Sequence, residues 1–185
     1  MEYKLTTPCT AADLAQLRAG DTILLSGIVY TARDAAHKRM CEALDAGEAL
    51  PFPLEGSAIY YVGPTPEKPG QVIGSAGPTT SGRMDAYSPR LLDLGNKLMI
   101  GKGKRDAAVK EAVVRNGAVY TAALGGAGAL MCQCVKSLEV IAWPDLGCEA
   151  VRRLEVVDMP LIVILDAQGG DLYESGPVAY LASQK

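Results

Sequence analysis

Apolar residues recur along this chain in two kinds of short run, β-rich blocks and helically spaced faces, divided by glycine-rich turns. Residues 10–13 (TAAD) resemble a capping box and predict a short helix through about Arg18. After the turn at Gly20-Asp21, residues 22–32 (TILLSGIVYTA) read as a buried strand. Asp34 is then placed to cap a helix with Ala36, Met40, Cys41 and Leu44 on one face, closed by Gly47. Residues 57–62 and 71–75 predict two further strands, with the turn-rich GPTPEKPG between them. Leu91, Leu92 and Leu94 suggest a helix ending at Gly95, followed by a short strand at 97–100. A helix over 106–115 stops at Asn116-Gly117, in the manner of a glycine C-cap, and a strand follows at 118–124.

The last third repeats the alternation. Residues 125–128 (GGAG) open a short helix through about Val135, and 138–143 form a strand. Residues 148–154 read as helical, and 156–166 as a strand whose Pro160 belongs near an edge or bulge. Gly169-Gly170 predicts a hairpin into 171–174, and the pattern from Ser175 onward is weak. Strands and helices alternate often enough to predict an α/β fold, and the close strands near 57–75 and 156–174 predict a mixed sheet.

Composition narrows this picture. At 185 residues, with 49% apolar and 21% charged side chains, one domain spanning 1–185 with a sizeable core is expected. A net charge of −3 without a basic block argues against nucleic acid or an anionic membrane surface as a partner. No apolar run nears the ~20 residues of a spanning helix, and the first ten residues lack a signal peptide's order. A cytoplasmic location is therefore expected. Cys9, Cys41, Cys132, Cys134 and Cys148 are an odd count, so free thiols are expected. Cys132 and Cys134 are one residue apart, unlike the C-x₂-C spacing of zinc or cluster sites, and His37 is the sole histidine. No metal bound by this chain is expected.

The candidate chemistry centres on residues 74–85, GSAGPTTSGRMD. Glycines admit close backbone approach, and hydroxyls beside exposed N–H groups can cradle an anion, more so if a helix begins there. Ordinary turns use the same residues. Arg33, Arg83 and Lys102 each follow an apolar run. Two guanidinium forks and a mobile ammonium converging on one spot would suit a small dicarboxylate. The alternative is that each is solvated or paired with Asp34, Asp85 or Asp106. GKGKRD and GGAGAL follow neither the P-loop nor the dinucleotide fingerprint.

TARDAAHKRM (31–40), GPTTSGRMD (77–85), LMIGKG (98–103) and LDAQGGDLY (165–173) resemble the β subunit of two-subunit class I fumarate hydratases. The same domain forms the C-terminal part of single-chain iron–sulfur fumarases and the small subunit of L(+)-tartrate dehydratase. The resemblance covers nearly the whole chain. It implies a swivelling three-layer β/β/α domain with a mixed sheet, closing over a site shared with a larger α subunit in an α2β2 assembly. That α subunit would own the [4Fe–4S] cluster, whose open iron acts as a Lewis acid on the substrate. Matched by position, Arg33, Arg83 and Lys102 fall on substrate-binding cations, with Thr80 beside them. Thr79 falls on the threonine proposed as catalytic base, with substrate binding as its alternative role. Lys104 rivals Lys102 for the lysine role. His37 also matches a family position and stays outside the substrate contacts. The implied reaction is reversible hydration of fumarate to (S)-malate. Tartrate dehydration, or a non-catalytic anion-binding module, are the alternatives.

Overall fold

The computed structural model describes residues 1–124 and 126–184. Among them seven strands share one mixed sheet, in the order β1-β2-β3-β4-β5-β7-β6. The strands are β1 (Glu2–Thr6), β2 (Thr22–Thr31), β3 (Ala58–Tyr60), β4 (Leu98–Gly101), β5 (Val119–Ala122), β6 (Val135–Ala142) and β7 (Val151–Leu165). β1 to β5 run parallel, while β7 is antiparallel to β2, β5 and β6. Since β7 pairs with β5 and also with β2, the ladder closes through β2, β3, β4, β5 and β7.

Strand alternation sorts the side chains of this ring into two cores. Ile23, Ala58, Leu98, Val119 and Val163, one from each ring strand, meet in one cluster. Leu14 of α1 (Ala11–Leu14), the following Leu17, and Met131 of α5 (Gly128–Gln133) pack against it. The intervening residues Ile59, Met99 and Tyr120 point the other way. They pack under α2 (Asp34–Asp45), α3 (Ser88–Asp93) and α4 (Ala107–Asn116), through Met40, Leu91, Leu92, Val109 and Val113.

β7 must change phase to serve both neighbours. Leu154 and Val156 join the first core, and so do Met159, Leu161 and Val163, of opposite parity. The switch falls at Asp158, whose φ is 49°, where the register with β2 also slips between Leu25 and Gly27. One extra residue in a strand produces this effect. Pro160 lies two residues beyond the bulge, between the β6 pairing that ends at Val156 and the β5 pairing that begins at Ile162. Its missing N–H is tolerated there.

Three sequence expectations change, and one strand was missed. β1 was not legible as a strand. Residues 71–75 form no strand, because the backbone at Gly74 is pressed against Thr65, too close for any Cβ, and Ser75 N–H donates to Thr65 Oγ1 (2.9 Å). Residues 148–154 are not helical: a 3₁₀ turn (Pro144–Glu149) precedes β7, and pairing with both β2 and β6 outweighs local helix preference. The segment after Gly170 makes only one bridge, Leu165 with Asp171, before α6 (Leu172–Ser183). Gly125, part of the glycine run ahead of α5, lies outside the described residues. All five cysteines are free. No helix among the described residues is long and apolar enough to cross a membrane.

Candidate active site

Three adjacent parallel strands end at one place, the carboxyl edge where open α/β sheets present ligand groups. β2 runs out through Ala32 to Arg33, β3 through Val62 to Gly63, and β4 directly into Lys102. The chain leaves at Gly63, makes an excursion, and returns at Pro78, which bridges Val62. Thr79 N–H then donates to Tyr61 O (2.7 Å), and Thr80 bridges Lys102. Thr79, Thr80 and Lys102 are thereby placed side by side. Ser81 secures the contact: its N–H donates to Lys102 O (2.8 Å) and its Oγ accepts from Lys102 N–H (3.0 Å). Tyr120 Oη lies 2.9 Å from Ser81 Oγ and donates to Gly103 O (2.8 Å). The backbone of Lys102 is thus fixed beside Thr80.

No α-helix starts at the glycine–threonine turn. Ser81–Met84 is a single 3₁₀ turn, and two of the N–H groups expected to cradle an anion are spent on strand carbonyls. Side chains, not a helix dipole, carry the charge here. Arg83 leaves this turn and its Nε donates to Asp34 Oδ1 (2.8 Å). Asp34 was expected to cap α2. Arg33 holds the N-cap position instead, without a side-chain cap bond, and Asp34 begins the helix. Asp34 Oδ2 lies 3.8 Å from Arg33 Nε, so one carboxylate stands between both arginines. Each of those two facing atoms is buried and without a hydrogen-bond partner among the described residues.

Arg33 also meets a residue that sequence reading missed. Its Nη2 lies 3.2 Å from Glu149 Oε1, while Glu149 Oε2 accepts the Ala35 N–H (2.8 Å). No local pattern joins Glu149 to Arg33, and the expected helix over 148–154 pointed it elsewhere. Arg33 Nη1 rests over Gly63, where a Cβ would collide with the guanidinium. The two arginines therefore face two carboxylates, and Lys102 has no ion pair among the described residues.

Behind the site lies a buried ion pair. Asp85, last residue of GPTTSGRMD, accepts from Arg105 Nε (2.6 Å) and from Asp106 N–H (2.7 Å). Arg105 Nη2 donates to Ser88 Oγ (2.7 Å), and the guanidinium lies over the Tyr61 and Tyr120 rings. The turn carrying Thr79 and Arg83 is thus tied to the segment carrying Lys102.

The family model described as "Fumarase C-terminus" matches residues 1–176. This chain belongs to the fumarase C-terminus family. Among relatives, it is 38% identical over 165 residues to the aerobic class I fumarate hydratase of Escherichia coli K12, covering 88% of this chain and 30% of that protein. It is 38% identical over 166 residues to fumarate hydratase 2 of Leishmania major, covering 86% of this chain and 28% of that one. It is 34% identical over 177 residues to the L(+)-tartrate dehydratase subunit beta of E. coli K12, covering 93% and 87%. The chain therefore spans under a third of the fumarate hydratases, but most of the tartrate dehydratase subunit.

The cluster that the family resemblance implies raises the question of a donor set in this chain. Among the described residues no three His, Cys, Asp or Glu side chains converge to hold a metal ion. The described residues thus offer no donor set for a cluster.

His37 supports the site from below. Its Nδ1–H donates to the Arg33 carbonyl (2.9 Å), which fixes the tautomer and leaves Nε2 buried without a partner among the described residues. The ring packs edge-on to Tyr61 and near Tyr87. Burial, chiefly, with the Arg105 charge adding, pushes its pKa down to about 4; the Arg33 carbonyl and Asp34 oppose this. The unfolded chain therefore binds a proton between about pH 6.5 and 4 that the folded chain refuses. Stability is fully present above pH 6.5 and falls as pH drops through that window. The expected loss is on the order of 2 kcal/mol by pH 5. Urea unfolding at pH 7 and pH 5 checks this, and His37→Gln should flatten the difference.

Proposed function

We propose that this chain is the β subunit of a two-subunit iron–sulfur hydro-lyase that interconverts fumarate and (S)-malate in the cytoplasm. The supporting observation is the meeting of Arg33, Thr79, Thr80, Arg83 and Lys102 at the carboxyl ends of β2, β3 and β4. A C4 dicarboxylate offers two anionic ends for these cations. Asp34 and Glu149 offset the two arginines, so a complete site needs further groups from a partner. We assign those groups to an α subunit in an α2β2 assembly. Its [4Fe–4S] cluster would supply Lewis acidity toward the substrate hydroxyl and carboxylate. The β chain binds and orients the carboxylates and handles the carbon-bound proton. Its domain, which we take as one β/β/α unit, swivels to close the site and exclude water.

L(+)-tartrate dehydration is the second reading, favoured by the 87% coverage of a tartrate dehydratase β subunit. The two substrates differ at one hydroxyl.

The deciding experiment joins the chain to an α subunit whose cluster has been rebuilt anaerobically. The isolated chain should bind no iron and show no hydratase activity, and the complex should gain it. Arg33→Met, Arg83→Met and Lys102→Met should each lower kcat/KM of the complex about 10- to 150-fold, a lost charged hydrogen bond. Arginine-to-lysine changes should restore only part, since the fork is lost. Turnover by the isolated chain, or wild-type kcat/KM in all three variants, would show the proposal to be wrong.

A further inference from the structure

Arg33 is held from three directions, by His37 of its own helix, by Gly63 after β3 and by Glu149 before β7. Its carbonyl accepts from the N–H (2.8 Å) and Nδ1–H of His37, which holds the backbone at the α2 N-cap. One terminal nitrogen lies flat over Gly63, with no room for a side chain beneath. The other terminal nitrogen meets Glu149, which enters from the turn before β7. The side chains of Arg33 and Glu149 are each 20% exposed, so both are held within the fold's surface.

Glu149 has two tasks, divided between its two oxygens. Oε2 takes the Ala35 N–H, supplying the cap that the Arg33 side chain does not give. Oε1 takes the outer edge of the guanidinium. An arginine free to rotate would sample many rotamers, and fixing it during substrate capture would cost conformational entropy. Anchoring one terminal nitrogen in advance removes that cost and leaves the buried Nε, without a protein hydrogen-bond partner, at a set place.

We propose that Glu149 is a positioning residue that aims the Arg33 guanidinium at a substrate carboxylate. This inference rests on the hydro-lyase reading above. Glu149 itself touches no substrate and acts through Arg33.

A double-mutant cycle in the reconstituted complex tests this. Glu149→Gln keeps an oxygen for the Ala35 N–H but loses the charge that orients Arg33. On the wild-type background it should raise KM for fumarate about 10-fold with kcat within about 2-fold, the pattern of lost uniform binding. On the Arg33→Met background the same change should alter KM by less than about 2-fold, since its target is gone. If Glu149→Gln does not fold, Glu149→Asp, too short to span both partners, takes its place in the cycle. A purely structural Glu149 would lower the melting temperature with KM unchanged, or give equal losses on both backgrounds. Either result overturns the inference while leaving the proposed function standing. A complex in which Arg33→Met changes nothing overturns the inference alone, whereas a wild-type complex without hydro-lyase activity overturns the proposed function and the inference with it.

Discussion

Replacing Arg105 by methionine is expected to lower the free energy of unfolding by about 3–5 kcal/mol, the usual cost of breaking a buried ion pair from one side. The Arg105 side chain has no solvent exposure and that of Asp85 only 11%. Without the guanidinium, the Asp85 carboxylate keeps the Asp106 N–H but loses its counter-charge, in a place water barely reaches. Ser88 loses its donor as well, and Tyr61 and Tyr120 lose the cation over their rings. Methionine fills most of the volume, so the loss reports electrostatics rather than a cavity. Arg105→Lys should fall between, because one ammonium cannot reach Asp85 and Ser88 in the same fork. Urea titration at pH 7 measures all three proteins. A loss below about 1 kcal/mol, typical of an exposed pair, would mean that solvent reaches the pair after all. The change should also loosen the site, since this pair ties the Thr79 turn to the Lys102 segment.

How much of this was readable from sequence depends on the range of the interaction that decided it. β2, α2, β3, β4, α4 and β5 were legible because local signals agreed with the final packing. The glycine C-cap at Gly117, φ 57°, is the clearest case. β7 began five residues earlier than its apolar run suggested, because Val151 to Leu154 are held by β2 and β6, partners more than a hundred residues and about a dozen residues away. Residues 71–75 looked like a strand, but Ile73 and Ala76 are buried by loop contacts around Thr65 and Gly128 instead. The site followed the same rule. Arg33, Thr79, Thr80, Arg83 and Lys102 stood out through motifs, and the structure brings their segments together. The carboxylates facing them were half visible: Asp34 was named as a possible partner of a cation, whereas Glu149 had no signal in its neighbourhood. Nor did the sequence separate Lys102 from Lys104; of the two, Lys102 is the one whose backbone bridges Thr80.

Thr79→Val in the reconstituted enzyme is expected to lower kcat at least ~100-fold while substrate still binds, the low end for loss of a general base. Dehydration of malate removes a proton from the carbon next to a carboxylate, and a free threonine hydroxyl is too weak a base for that near neutral pH. It needs its alkoxide stabilised. Thr79 is half-buried, its N–H is fixed on Tyr61 O, and no hydrogen bond among the described residues engages its hydroxyl. The hydroxyl is therefore not spent on a cap. Arg83 is already turned toward Asp34, so it offers an alkoxide less than its charge suggests. Lys102, whose backbone bridges Thr80, has no ion pair among the described residues, so its charge is not already offset. Among the described residues no carboxylate or imidazole hydrogen-bonds to Thr79, and under the proposed function that task falls to the partner subunit. Valine keeps the branched shape and removes only the oxygen's chemistry. If Thr79 merely binds a carboxylate, the variant will raise KM and leave kcat nearly intact. Exchange of the C3 proton of malate with solvent deuterium separates the two outcomes directly. Exchange at the wild-type rate in Thr79→Val would remove Thr79 from the proton transfer, and a matching drop in exchange and kcat would place it there.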